Sequence, residues 1–171
     1  MRQKNLWILS GIPGSGKSTW AKNWIKTHGV GVIISRDAVR FALLEDEDDY
    51  FSRESEVYNE YIRWAQDKLN DDSCPGPVIL DATHLDKRSR GKVLNSLKLD
   101  NVDEIHVFYF NVPYNTCVER NAQRTGRAFV PKSAINRMNL CLTKPTENEY
   151  PKKDFIVHTI NEQGEEEWLS I

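Results

Sequence analysis

The chain lacks the features that define several protein classes. Among its 171 residues there are three cysteines, Cys74, Cys117 and Cys141. They are scattered, odd in number and form no C-x-x-C pair. That excludes a disulfide framework or a cysteine metal site and points to reduced thiols in the cytoplasm. No apolar run is long enough to span a membrane, so no membrane partner is expected. Met1-Arg2-Gln3-Lys4 lead straight into a strand pattern, without the apolar segment of a signal peptide. Surplus positive charge is missing too: 23 Lys and Arg face 25 Asp and Glu, a net charge of −2. This excludes a protein that coats nucleic acid along a broad basic face, but not an enzyme that grips one end of a strand. There is no internal repeat, linker or low-complexity segment, so residues 1–171 are expected to form one domain. His28, His84, His106 and His158 show no metal-ligand spacing and are expected to be structural.

What the chain does contain is organised around Gly11-Ile12-Pro13-Gly14-Ser15-Gly16-Lys17-Ser18, which reads G-x-x-x-x-G-K-S. Leu6-Trp7-Ile8-Leu9 enters it as a short apolar strand, and Thr19 to Lys26 leave it at helical period. Strand, glycine-rich turn and helix together are the context a phosphate-binding loop requires. Gly11, Gly14 and Gly16 free the backbone to aim successive N–H groups at an anion. The helix behind them adds its unpaired N–H groups and its positive dipole end. The predicted donor is ATP with Mg²⁺. Pro13, Ser15 and Thr19 complete the nucleotide-binding stretch, Lys17 reaches the β- and γ-phosphates, and the Ser18 hydroxyl ligates the metal.

Further short apolar runs, Val32-Ile33-Ile34, Val78-Ile79-Leu80, Ile105 to Phe110 and Phe155-Ile156-Val157, alternate with helical stretches. The helices fall at Asp37 to Leu44, Ser52 to Leu69, Asp86 to Leu97, Pro113 to about Arg124, and Pro131 to Leu142. This predicts an α/β fold: a five-stranded, mainly parallel sheet with helices on both faces. Glu165 to Ile171 is read as a possible further small edge strand. The face of the Asp86–Leu97 helix that carries Lys87, Arg88, Arg90 and Lys92 is expected to be solvated. Thr146-x-x-Glu149 has capping-box spacing between two prolines, a cap or only a turn.

In such sheets ligands bind beyond the carboxyl ends of the strands. Three chemistry-bearing stretches lie there: the phosphate loop, Ser35-Arg36-Asp37 and Asp81-Ala82-Thr83. Asp37 opens a helix, so it is either a cap or the carboxylate that takes the proton of an acceptor hydroxyl; the two roles are compatible. Arg40 shares its helical face and either binds an acceptor phosphate or pairs with Asp37. Asp81 is placed to help hold Mg²⁺ with Ser18, and Thr83 to contact the acceptor or cap the next helix. Arg120, Arg124 and Arg127 recur at i, i+4, i+7, but Thr125-Gly126 interrupts them, which suggests a lid over about 120–137. Arginines brought over a transferring phosphoryl group stabilise its charge.

These residues, with Trp20, Arg120-Asn121-x-x-Arg124 and Val130-Pro131, resemble the kinase domain of phage polynucleotide kinase, one of a wider group of small P-loop kinases. The resemblance runs to about Leu142 and includes the acidic stretch and the tyrosine, Tyr50, before the long helix. It implies transfer of the ATP γ-phosphate to the 5′-hydroxyl of DNA or RNA. Asp37 would be the general base, Arg40 the contact to the acceptor's 3′-phosphate, Arg124 the stabiliser of the transferring group and Arg120 a nucleotide ligand. It also raises the possibility of a homo-oligomer. Two departures stand out. The phage enzyme carries its acidic residue directly before the threonine, where this chain has Ala82, and strand alternation points Asp81 the other way. No D-x-D-G-T phosphatase motif is present, so 3′-phosphatase activity is not expected. Two alternatives accord with the same residues: a kinase for a small hydroxyl substrate such as a nucleoside, sugar or antibiotic, and an ATP-binding regulatory protein.

Overall fold

The computed structural model describes residues 4–168, apart from the side chain of Arg127. The strands are β1 (Lys4–Ser10), β2 (Val32–Ser35), β3 (Val78–Asp81), β4 (Val102–Phe110), β5 (Asp154–Ile160) and β6 (Glu166–Glu167). The helices are α1 (Lys17–His28), α2 (Arg36–Leu43), α3 (Glu54–Leu69), α4 (Lys87–Ser96), α5 (Tyr114–Ala122) and α6 (Lys132–Cys141), with a 3₁₀ turn at Gly126–Ala128. The sheet order is β2-β3-β1-β4-β5-β6. The first five strands in that order pair in parallel; β6 is antiparallel to β5. The expected five strands are therefore six, because the short β6 hairpin closes the edge. Residues 169–171 of the edge strand read from the sequence lie outside the described residues, as do residues 1–3.

Strand alternation sorts the core into two layers. Leu6 and Ile8 of β1 and Val78 and Leu80 of β3 face one side, where Val57, Tyr61, Ala65 and Leu69 of α3 and Val93 and Leu94 of α4 cover them. Leu9, Ile79, Phe108 and Phe110 face the other, against Ala21, Trp20 and Trp24 of α1. Trp7 lies edge-on to Trp24 at 4.6 Å between ring centroids, and Phe108 bridges Trp7 and Trp20 at 4.7 Å each. Trp7 and Trp20, which flank the phosphate loop in sequence, are thus part of one larger aromatic cluster. His106 and His158 extend it as a stacked pair. A third cluster, Ile12, Cys117, Val130, Ala134 and Ile135, joins the phosphate loop to α5 and α6.

One local expectation is corrected and two open alternatives are decided. Arg90 is fully buried, not solvated: Nε and Nη2 grip the Glu149 carboxylate at 2.9 and 2.7 Å. Thr146–Glu149 is accordingly a turn that offers Glu149 inward, not a helix start. Asp86, not Thr83, caps α4, its side chain accepting from the Ser89 N–H at 2.7 Å. No helix among the described residues is long and apolar enough to cross a membrane. The three cysteines are free thiols: Cys117 is buried, Cys74 half-buried and Cys141 exposed.

Candidate active site

The phosphate loop is tied to the neighbouring strand before it turns. The Gly11 N–H donates to the Thr83 carbonyl at 2.9 Å, and Ser10 Oγ donates to the His84 carbonyl at 2.7 Å. Gly14 and Gly16 have φ of 85° and 88°, a region that L side chains avoid. A β-carbon on Gly14 would also lie 2.3 Å from the Cys117 carbonyl oxygen, so the loop rests directly on α5. Gly16 caps α1 without any side-chain acceptor, leaving the first-turn N–H groups of the helix to a ligand. Lys17, the first residue of that helix, is buried; its Nζ donates to the Ile12 carbonyl at 3.1 Å and to Ser15 Oγ at 3.4 Å. Burial pushes its pKa below the usual lysine value and Arg124 adds to that, while the carboxylates of Asp81 and Asp37 oppose it. A bound polyanion in place of these neutral acceptors favours the charged ammonium.

Ser18 Oγ donates to Asp81 Oδ2 at 2.5 Å, and Asp81 is buried at the end of β3. The alternation that packs Ile79 on the α1 side also brings Asp81 to α1, while Ala82 packs against the core on the α3 and α4 side. A hydroxyl and a carboxylate this close fit a hard cation that completes its shell with phosphate oxygens and water. Among the described residues no cluster of three or more His, Cys, Asp or Glu side chains forms a separate metal site.

Two cavities flank the loop. One, about 500 Å³, is lined by Ser15, Gly16, Thr19, Trp20, Arg120 and the 161–164 turn after β5. Arg120 Nη2 donates to the Glu162 carbonyl at 2.9 Å and closes one wall. The other, about 290 Å³, brings together Pro13, Lys17, Ser18, Asp37, Arg40, Asp81, Thr83 and Arg124. Residues from all three strand ends therefore share one cleft, as parallel topology requires. The arginine stripe does not form. Helix α5 ends at Ala122, and Arg124 stands on the following turn, its Nη1 near the Ala128 carbonyl at 3.5 Å.

Asp37 is not the cap of α2. Ser35 is, its hydroxyl accepting from the Ala38 N–H at 3.2 Å. Asp37 sits in the first turn, with its side chain half exposed to the cleft. Arg40 is 4% exposed and heavily engaged. Its Nη1 pairs with Asp37 Oδ1 and donates to the Tyr50 hydroxyl at 2.7 Å; Nε and Nη2 donate to Glu54 Oε1 at 3.0 and 2.7 Å. Glu54 Oε2 also accepts from Arg36 Nη2 at 3.0 Å. Glu54 escapes a reading by motif because it occupies no strand end, and Tyr50 entered only as the tyrosine that the resemblance includes, with no role attached. The only sequence signal for Glu54 is a carboxylate in the first turn of a long helix.

His84 underpins the site from behind. Its Nδ1 meets the Leu9 carbonyl at 2.6 Å and its Nε2 the Tyr61 hydroxyl at 3.2 Å. A carbonyl only accepts, so Nδ1 carries the proton and Nε2 accepts from the phenol. Its backbone is left-handed, φ 39°, a strained state for a non-glycine residue. Burial lowers its pKa to about 4. The unfolded chain therefore takes up a proton near pH 6.5 that the folded one refuses until about pH 4. Stability is expected to fall by about 3 kcal/mol across that window as pH drops, and to level off below it. Urea titrations of the wild type and His84→Asn between pH 7 and 4 test this. The variant, which keeps a donor toward Leu9, is expected to lack this part of the decline.

The profile of the AAA_33 family, described as an AAA domain, matches residues 6–145, and the chain belongs to that family. A chain of the Pnkp1/Rnl/Hen1 RNA repair complex is similar at 28% identity and a TM-score of 0.65, over 83% of this chain and 45% of that one. A sugar kinase from Janibacter sp. HTCC2649 is similar at 17% identity and a TM-score of 0.61, over 95% and 87% of the two chains. A gluconokinase from Sinorhizobium meliloti 1021 follows at 18% identity and 0.56, over 93% and 84%. The sugar kinases share the fold alone. The architecture is that of a small P-loop kinase, a nucleotide-binding phosphotransferase fold.

Proposed function

We propose that this protein is an ATP-dependent polynucleotide 5′-hydroxyl kinase. The observation that carries the reading is the shared cleft in which Asp37 and Arg40 face Lys17, Ser18, Asp81 and Arg124. A regulatory nucleotide switch needs no acceptor-side carboxylate–arginine pair. The likeness to a chain of an RNA repair complex supports a nucleic-acid acceptor.

In this reading the adenine occupies the cavity beside Trp20 and the 161–164 turn, with Arg120 at its wall. The loop N–H groups and Lys17 hold the β- and γ-phosphates. Ser18 and Asp81 would hold Mg²⁺, which offsets phosphate charge when bound. Asp37 accepts the proton of the incoming 5′-hydroxyl as its oxygen attacks the γ-phosphorus and ADP leaves. Thr83 lines the acceptor path, Arg40 meets a phosphate of the strand, and Arg124 closes onto the equatorial oxygens with the segment between α5 and α6, inside the lid expected over 120–137. Arg124→Ala is therefore expected to lower kcat about 10³-fold, as loss of a transition-state arginine does, with little change in ATP affinity. Single-turnover transfer beside ATP titration tests it; an unchanged kcat removes Arg124 from the mechanism.

One observation favours a second reading, a kinase for a small hydroxyl substrate. Four of the five Arg40 N–H groups are already bonded to Asp37, Tyr50 and Glu54, which leaves one for an acceptor phosphate. Transfer from γ-labelled ATP to a 5′-hydroxyl oligonucleotide, set against nucleosides and sugars, decides between them. Labelling of the oligonucleotide supports the proposal; labelling of free nucleosides or sugars only overturns it.

A further inference from the structure

The acidic stretch Glu45 to Asp49 does not simply fill space between α2 and α3. It folds into successive turns: the Glu45 N–H donates to Asp48 Oδ2 at 2.9 Å, and the Ser52 N–H to the Asp49 carbonyl at 3.0 Å. These turns deliver Tyr50 to the cleft. Its hydroxyl donates to Asp37 Oδ1 at 2.5 Å while accepting from Arg40 Nη1 at 2.7 Å. Its ring is held by two neighbours, with the Arg40 guanidinium 4.1 Å from its centroid and Phe51 edge-on at 4.6 Å.

We infer that Tyr50 is a positioning residue for phosphoryl transfer, orienting the Asp37 carboxylate through its hydroxyl. Two donors, Tyr50 Oη and Arg40 Nη1, converge on the same oxygen, Oδ1. Among the described contacts Oδ2 takes no hydrogen bond, and it is the oxygen left to accept the acceptor's proton. A lone carboxylate on the exposed side of a helix turns freely about its terminal torsion. One pinned through Oδ1 presents Oδ2 in a single direction, which is what a near-attack geometry needs. Burial and the neighbouring carboxylate push the phenol's pKa up, so Tyr50 stays a donor throughout the working pH range. The inference rests on Asp37 being the base but not on which alcohol is the acceptor.

Tyr50→Phe keeps the ring against Arg40 and removes only the hydroxyl. With the best acceptor found in the labelling panel, it is expected to lower kcat about 10-fold, the worth of one hydrogen bond to a charged group, with KM for ATP unchanged. The discriminating measurement is the same substitution in an Asp37→Asn background, where it is expected to change kcat less than about 2-fold because the group it positions is gone. Wild-type kcat in Tyr50→Phe, or an equal loss in both backgrounds, overturns the inference while leaving the proposed activity intact. A wild-type protein that labels no acceptor refutes the activity itself and the positioning role with it. Circular dichroism melts of both variants, expected to match their parents, exclude misfolding as the cause.

Discussion

Asp37→Asn is expected to abolish most phosphate transfer, lowering kcat by about 10²–10⁴-fold while ATP still binds. The asparagine is isosteric, so the α2 first turn and its Ser35 cap are retained. What disappears is the proposed proton acceptor and the negative partner of Arg40 and Tyr50. The phosphate loop lies one strand away and keeps its own contacts, Gly11 to Thr83 and Lys17 to Ile12. Nucleotide titration followed by single-turnover transfer separates the two effects. Equal losses in ATP affinity and kcat, or transfer at the wild-type rate, would show that Asp37 does not act on the acceptor.

The second large effect concerns stability. Arg90→Ala is expected to cost about 3–5 kcal/mol, because it strands the Glu149 carboxylate in a dry interior. The pair is closed to solvent, with side-chain exposures of 1% and 6%. Arg90 Nη1 further donates to the His84 carbonyl at 3.1 Å and the Thr143 carbonyl at 3.2 Å. It thereby ties the segment after α6 to the strand ends on which the phosphate loop is mounted. Replacing both partners, Arg90→Met with Glu149→Leu, is expected to recover much of the loss, since no uncompensated charge remains. Urea denaturation of the single and double variants measures both. A single variant within 1 kcal/mol of wild type would mean the pair contributes little beyond the packing of its aliphatic parts.

Much of the site was legible in the sequence because its parts are local. Gly14, Gly16, Lys17 and Ser18 carry their geometry in their spacing, and Asp37 and Asp81 announce themselves as polar residues closing apolar strands. Parallel topology does the rest, since every strand opens onto the same edge. What escaped depends on distant pairings. Arg90 looked like one basic residue among four on a helix face; its burial follows from Glu149, 59 residues further on. Tyr50 and Glu54 reach the cleft only because α3 packs beside α2. The break in the arginine spacing was legible at Thr125-Gly126, although α5 stops at Ala122, slightly before the expected end near Arg124.

The contact between Gly14 and the Cys117 carbonyl has a mechanical consequence. Loop and helix abut with no room for even a methyl group, so α5 cannot slide or tilt without dragging the donor's anchor along. Any swing that carries Arg124 inward must pivot just beyond Ala122, ahead of Arg124 itself, with Gly126 as a second bend downstream. In the proposed reading, closure would leave a bound triphosphate where it was seated, and only the arm above it would move.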